Sequence, residues 1–393
     1  MEIDPTAAAL KLREALHEVT RNLVDRETLV ELIALAAVAG EHVLVIGPPG
    51  TAKSVAVRRM ATAIGGRYFE YLVGRFTERS EIFGPVNLRS LRDGIVETET
   101  AGMLPEAEVA FLDEVFLGSS AILNTLLGIL NERQFTRGHT RLECPLRVCV
   151  GASNEVPDDT SLRAFADRFL VRVFVDRVAD PRLEQLLEGG EAIAQSVFEH
   201  PASLETVDVL ARAAHELAMA PVRGHLAQAV RELRHAGVSL SDRRVVKLQR
   251  LVAAAAVLAG RTAPTMADLW PMVFAVPDAE GQSLSRDVLQ DLLAASENAT
   301  LPVATAQAAL GVRARAGRIA VEARARLAEV PPQSDSAAHR RWVLRLEGIL
   351  REIDAGFLDE DLDEELREVR GRLATIVTES LATVDDRADE PVN

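Results

Sequence analysis

The chain of 393 residues has only two cysteines, Cys144 and Cys149, and only 4% of its residues are aromatic. Two thiols five positions apart form neither a disulfide framework nor a C-x-x-C pair. Cys149 stands in the run Arg147-Val148-Cys149-Val150, where a packed core thiol is expected. Long hydrophobic runs are also missing from the N-terminal part. The stretch Leu32 to Ala39 is far shorter than a bilayer span, so no membrane insertion is expected. The opening Met1-Glu2-Ile3-Asp4-Pro5 lacks the apolar segment of a secretion signal, and a cytoplasmic location is expected from that. There is no excess of basic residues: the formal net charge is −15. That argues against broad nucleic-acid binding and leaves room only for a local basic patch. No internal repeat is visible. What is plentiful is alanine and leucine, within a hydrophobic content of 48%. That is enough for a sizeable, largely helical core, and the length suggests two to three domains.

One segment carries chemistry on its face. The apolar run Val43-Leu44-Val45-Ile46 leads into Gly47-Pro48-Pro49-Gly50-Thr51-Ala52-Lys53-Ser54, and a helix-compatible stretch follows from Val55. This is the layout of a phosphate-binding loop, with Ala52 where the last glycine of G-x-x-x-x-G-K-[ST] is expected. Backbone N–H groups of such a turn converge on phosphate oxygens, and the helix N-terminus adds partial positive charge. Lys53 is placed for the β- and γ-phosphates and Ser54 for Mg²⁺. Alone, the loop, Gly47 through Val55, predicts a nucleotide with Mg²⁺ as ligands.

The surrounding pattern alternates. Helices are predicted over Leu10–Val19 and Thr28–Ala39, and strands over Val43–Ile46, Tyr68–Val73, Val109–Leu112, Val148–Ala152 and Leu170–Val175. Strands alternating with helices predict a doubly wound α/β domain with a parallel five-stranded sheet over residues 1–178. Two segments interrupt it, each read as a hairpin: 85–100, turning at Asp93-Gly94, and 134–143, turning at Arg137-Gly138. Residues 179–280 read as an all-α domain. Residues 281–384 read as a helical extension, with a turn at 331–336 and helices at 339–353 and 362–381. The acidic stretch 385–393 is expected to be disordered.

Val109-Ala110-Phe111-Leu112-Asp113-Glu114 delivers two adjacent carboxylates at the end of a buried strand, where open α/β sheets bind ligands. Asp113 suits Mg²⁺, and Glu114 suits orienting and polarising an attacking water. The alternative is that Asp113 only caps the helix opening at Ser119-Ser120. Asn154, after the fourth strand, offers a neutral amide to water or to the γ-phosphate, or forms a turn. Arg163 and Arg168 precede the fifth strand. A guanidinium there can reach a neighbouring subunit's γ-phosphate, and Arg168 is favoured over Arg163, with a surface ion pair to Asp167 as the alternative. In Ser241-Asp242-Arg243-Arg244 the serine or the aspartate suits an N-cap, and Arg243 is positioned to reach back to ATP or lies exposed.

Taken together, the chain resembles the MoxR family of AAA+ ATPases, close to its RavA (regulatory ATPase variant A) branch. The resemblance rests on Gly47–Ser54, Phe83-Gly84-Pro85, Leu104–Ala107, Phe111–Glu114, Ala121–Leu127, Asn131–Phe135, Ala152–Glu155 and Ser241–Arg244, and covers about the first 275 residues. It implies an AAA+ core, an all-α lid and a helical extension, assembled as a homo-oligomeric ring, usually hexameric, with ATP at subunit interfaces. It also implies chaperone-like remodelling of a partner, often one bearing a von Willebrand factor type A domain. The aromatic pore loop of peptide-threading relatives has only a poor match at Leu72–Phe76. Two other functions remain open: a nucleotide-gated scaffold with slow turnover, and a nucleic-acid-associated motor.

Overall fold

The computed structural model describes residues 4–179, 182–195, 202–311, 319–320, 323–329, 337–356 and 364–388. The chain divides into two compact units: Met1–Arg177 with Ala192–Ala309, and Val178–Glu191 with Leu310–Asn393.

The first unit opens with α1 (Pro5–Thr20) and α2 (Glu27–Ala39), then β1 (Val43–Ile46), α3 (Lys53–Ile64) and β2 (Tyr68–Leu72). Two short helices follow, α4 (Arg79–Phe83) and α5 (Leu88–Arg92), before β3 (Val109–Asp113) and α6 (Ser120–Glu132). A hairpin of β4 (Gln134–Arg137) and β5 (Thr140–Glu143) leads to β6 (Val148–Ser153), α7 (Thr160–Ala166) and β7 (Val171–Phe174). The predicted five strands make one parallel sheet, in the order β2-β3-β6-β1-β7. Strand β1 is central to the site, with Val43 opposite both Val150 and Val171. Its alternate residues enter different cores. Val43 and Val45 pack with α1, α2 and α3, while Leu44 and Ile46 pack with α6 and Phe169. Complete burial on both faces explains the uninterrupted apolar run, each such side chain contributing roughly 1.5–3 kcal/mol. Cys149 is fully buried in β6, and burial pushes its thiol up to about 12.

The second hairpin forms as predicted. The first survives only at its base, where Val86 bridges Thr98 and Asn87 N–H donates to the Glu97 carbonyl. Residues 88–92 are helical instead, because the Asn87 side chain accepts from the amides of Arg89 and Ser90 and so caps α5. The two insertions are joined, since His139 N–H donates to the Val96 carbonyl at 2.8 Å and Thr98 N–H to Thr140 Oγ1 at 2.8 Å.

Helix α8 (Leu183–Gln195) is followed by α9 (Leu204–Glu216), α10 (Ala220–His235) and α11 (Asp242–Leu258). Residues 266–273, expected to be one helix, fall in two 3₁₀ segments, Met266–Asp268 and Trp270–Ala275. Helices α12 (Ala279–Val288), α13 (Gln290–Leu293) and α14 (Pro302–Ala309) fall in the region expected to begin the extension, yet they belong to the first unit. Long-range polar contacts hold them there. Gln282 donates to the Arg172 carbonyl, and Glu31 on α2 accepts from the amides of Val303 and Ala304.

Glu31 is 5% exposed, and its burial raises the carboxyl to about 7, against the two amide hydrogen bonds that lower it. Because the folded-state value lies above the unfolded one, the native chain binds this proton more tightly. Stability from this group therefore grows as pH falls from 8 through 7 and is fully present below about 4.5. Glu31→Gln mimics the protonated form and keeps one acceptor oxygen. It should stabilise the chain at pH 8 by on the order of 2 kcal/mol, and the difference should close by pH 5. Denaturant midpoints for the two proteins at both pH values test this.

In the second unit, α15 (Ala337–Gly356) and α16 (Glu364–Ala388) enclose Leu346, Ile349, Ile353, Leu366, Val369 and Leu373, with Trp342 at the margin. These are the two helices expected at 339–353 and 362–381; the turn at 331–336 lies outside the described residues. Helix α16 continues to Ala388, into the stretch expected to be disordered, and 389–393 lie outside the described residues. Among the described residues, no helix is long and apolar enough to cross a membrane.

Candidate functional site

The loop from Gly47 to Ser54 leaves the C-terminal end of β1. Gly47 N–H donates to the Ser153 carbonyl at 3.1 Å, and a Cβ at this position would lie 2.0 Å from the Val175 carbonyl oxygen. No other residue fits between β6 and the end of β7. Pro48 and Pro49 follow, then Gly50 at φ 78°. Thr51 Oγ1 donates back to the Pro48 carbonyl at 2.9 Å and tightens the turn. The first-turn amides of α3, those of Lys53, Ser54 and Val55, have no intrahelical acceptor and point out of the helix N-terminus. That end is a ready anion site.

Ala52 occupies the left-handed region, at φ 57° and ψ 24°. A methyl-bearing residue is held there at a cost of about 1 kcal/mol that glycine does not incur. Ala52→Gly should therefore keep the loop geometry and raise stability by up to about 1 kcal/mol, partly offset by the greater freedom of glycine in the unfolded chain. Equilibrium denaturation measures the gain; a loss of stability would show that the loop does not carry this strain.

Lys53 is 7% exposed, and its ammonium donates to the carbonyls of Gly47 at 2.7 Å and Pro48 at 3.0 Å. Burial lowers its proton affinity, opposed by the nearby charges of Asp113 and Glu114. The carboxylates stand at the C-terminal end of β3, with Asp113 in register with Leu72 of β2. Asp113 Oδ1 accepts from the Glu114 amide at 3.1 Å. Glu114 is itself left-handed, at φ 50°, and opens the 3₁₀ turn Val115–Leu117. The Asn154 amide donates to Glu114 Oε1 at 2.7 Å. Burial and then the Asp113 charge raise the Glu114 carboxyl above its ordinary range, and Lys53 opposes them. The fold thus collects Lys53, Asp113, Glu114 and Asn154 from two strand ends and one helix start.

The arginines lie elsewhere. Arg163 is exposed and tied to its own loop, donating to Asp158 at 3.0 Å and to the Pro157 carbonyl at 3.2 Å. Arg168 precedes β7, and its buried Nε has no hydrogen-bond partner. Burial and then the charge of Arg243 lower its proton affinity. Arg243, at the start of α11, donates to Asn131 at the end of α6. That end is marked by Arg133, which reaches the Gly40 carbonyl, and by His42, which meets the Leu130 carbonyl at 2.9 Å. Gly40 and His42 precede β1, whereas the phosphate loop follows it. Arg168 and Arg243 therefore sit at the opposite end of the sheet from their own phosphate loop. The expectation that Arg243 reaches back to nucleotide held by the same chain does not match this placement, because α11 starts at the N-terminal ends of the strands.

Arg26 was not legible as a site residue. It is 3% exposed, and its guanidinium donates to the carbonyls of Thr51 at 2.6 Å, Asp176 at 2.8 Å and Asp25 at 2.6 Å, so it holds the loop from behind. Between Asp25 and Glu27 it reads in sequence as a solvated helix start. Nothing local signals its burial.

A family model described as the MoxR domain in the MoxR-vWA-beta-propeller ternary systems matches residues 10–213. An uncharacterized protein of Methanocaldococcus jannaschii is 34% identical over 66% of this chain and 68% of its own length. The chaperone MoxR1 of Mycobacterium tuberculosis is 26% identical over 50% of this chain and 57% of its own length. A crystal structure from Cytophaga hutchinsonii, provisionally described as an ATPase, superposes with a TM-score of 0.59 over 75% of this chain and 96% of that one. At 17% identity that likeness concerns the fold alone.

Proposed function

The chain belongs to the MoxR family of AAA+ ATPases, and from that premise we propose that it hydrolyses ATP at the interfaces of a ring to remodel a protein partner. The observation that carries the hydrolytic part is the Asn154–Glu114 hydrogen bond of 2.7 Å beside Asp113 and within the field of Lys53. A carboxylate held in this way, at the mouth of an anion-binding loop, is placed to orient and polarise water for in-line attack on the γ-phosphate. Its raised proton affinity makes it a better base than an exposed glutamate. Lys53 exchanges its carbonyl partners for phosphate oxygens and offsets the charge that develops there.

Mg²⁺ fits the donors available. Ser54 offers a hydroxyl and Asp113 a carboxylate, both hard oxygens. Among the described residues no cluster of three or more His, Cys, Asp or Glu is arranged to hold a metal, so the remaining ligands would be phosphate and water. Bound there, Mg²⁺ supplies charge neutralisation across the phosphates.

The position of Arg168 and Arg243 supports the ring. Two guanidiniums at the wrong end of the sheet for their own loop suit the γ-phosphate of a second copy. The family description supports a von Willebrand factor type A protein as partner. The family description favours kinship with the vWA and β-propeller systems, and the RavA-like branch stays a proposal carried by the same motifs, Ala52 among them. The whole reading is tested by phosphate release from Mg·ATP, which Glu114→Gln must suppress without displacing nucleotide.

A further inference from the structure

Arg244 is one of the largest fully buried side chains, at 1% exposure. Its Nε donates to Asp167 Oδ1 at 2.6 Å, one Nη to the carbonyls of Leu170 at 2.8 Å and Ala275 at 2.6 Å, and the other Nη to the Phe169 carbonyl at 2.9 Å. Arg168 lies between Asp167 and Phe169, so a single guanidinium grips the residues immediately before and after it. Arg244 also directly follows Arg243 on α11, whose first turn is capped by the Ser241 hydroxyl. One buried side chain therefore ties together the backbones that carry both outlying arginines.

The surroundings are short of negative charge. Arg172 on β7 is 2% exposed, and its Nε and one Nη have no hydrogen-bond partner. Arg168, Arg172 and Arg244 all experience the attraction of Asp167, and Arg244 that of Glu41 as well. With Arg243 next to Arg168, four guanidiniums gather near two carboxylates, Asp167 and Glu41. Such a concentration of cations, two of them buried, is costly unless an anion is brought to it. Arg244 offsets part of that cost within the chain, through three carbonyls and Asp167. The outer pair is left for an anion from outside.

We infer that Arg244 is a positioning residue for hydrolysis: it fixes Arg168 and Arg243 at one spacing, so that both address a phosphate held by a second copy of this chain. This rests on the reading that those two arginines act across a subunit interface. Planar fork geometry is essential to it, because only a guanidinium meets four acceptors in one plane. Lysine keeps the charge and meets one or two.

The test mixes subunits. Arg244→Lys should bind a fluorescent ATP analogue about as tightly as the parent, because its own phosphate loop is untouched. Its kcat should fall by roughly tenfold to a hundredfold, the scale expected when reacting groups are misplaced by about an ångström. Arg244→Lys subunits retain a working phosphate loop, and Lys53→Ala subunits retain well-held arginines. Co-assembly of the two should restore turnover. Unchanged kcat in Arg244→Lys overturns the inference. So does failure of the mixture to recover while a mixture of Arg168→Ala with Lys53→Ala does; the cross-subunit reading then stands without Arg244. If neither mixture recovers, the cross-subunit reading falls, and the inference falls with it. Should Arg244→Lys fail to fold, Asp167→Asn, which keeps the shape but removes the counter-charge, enters the same comparison with the same criteria.

Discussion

Glu114→Gln should leave ATP bound and reduce its turnover by about 10² to 10⁴-fold, the range that a positioned general base contributes. The substitution is close to isosteric, and the amide oxygen can still accept from Asn154, now at 2.7 Å from Glu114 Oε1. Local structure should therefore persist, including the left-handed backbone at this residue. Two things change. The group can no longer take a proton or polarise water through its charge, so the barrier rises. It also ceases to repel Asp113 and incoming phosphate, so nucleotide affinity should hold or improve. A single-turnover measurement of phosphate release, paired with equilibrium binding, separates the two effects. Release at near the parental rate would remove Glu114 from the mechanism and leave the scaffold function as the better account of the loop.

Legibility in the sequence followed the range over which each feature is determined. The phosphate loop is local: a buried strand, a turn and a helix start within twelve residues. The sheet was legible for the same reason, because strands buried on both faces must be apolar throughout, as Val43–Ile46 and Val109–Leu112 are. Segment 85–100 was half legible. The Asp93-Gly94 turn is there, with Gly94 at φ 76°, but the capping by Asn87 competes with strand pairing and wins over residues 88–92. Buried cations were not legible at all. Arg26 and Arg244 find carbonyl acceptors far along the chain, Arg172 finds one only six residues back at Ala166, and nothing in their neighbouring residues distinguishes them from exposed arginines. The site residues Asn154 and Glu114 were each singled out, but their direct hydrogen bond depends on how β3 and β6 pair. The reach of the first unit to Ala309 likewise depends on Glu31 and Gln282 meeting partners more than a hundred residues away.

Lys53→Ala should abolish nucleotide binding at concentrations that saturate the parent, with affinity lower by about a hundredfold, or about 3 kcal/mol. The ammonium is buried and surrounded by the loop it serves, resting on the Gly47 and Pro48 carbonyls. Those contacts place it at the mouth of the helix N-terminus, where it can transfer to phosphate oxygens without crossing solvent. Truncation removes the ammonium near Asp113 and Glu114, whose influence on Lys53 is attractive. An incoming triphosphate would then face two carboxylates without the loop's own ammonium, its backbone N–H groups and Mg²⁺ left to compensate. Removing a desolvated charge from the ligand-free protein should itself be nearly neutral for stability, because the loss of two hydrogen bonds is balanced by relief from burial. Binding and folding are therefore separable in one assay. Excess Mg·ATP should raise the melting temperature of the parent and of Glu114→Gln, as expected for a ligand that binds only the native state. It should leave Lys53→Ala where it was. A comparable shift in Lys53→Ala would mean that nucleotide binds elsewhere on the chain, and the loop would lose its claim to the site. Parallel loss of the shift in both variants would mean that Glu114 belongs to binding and not to hydrolysis.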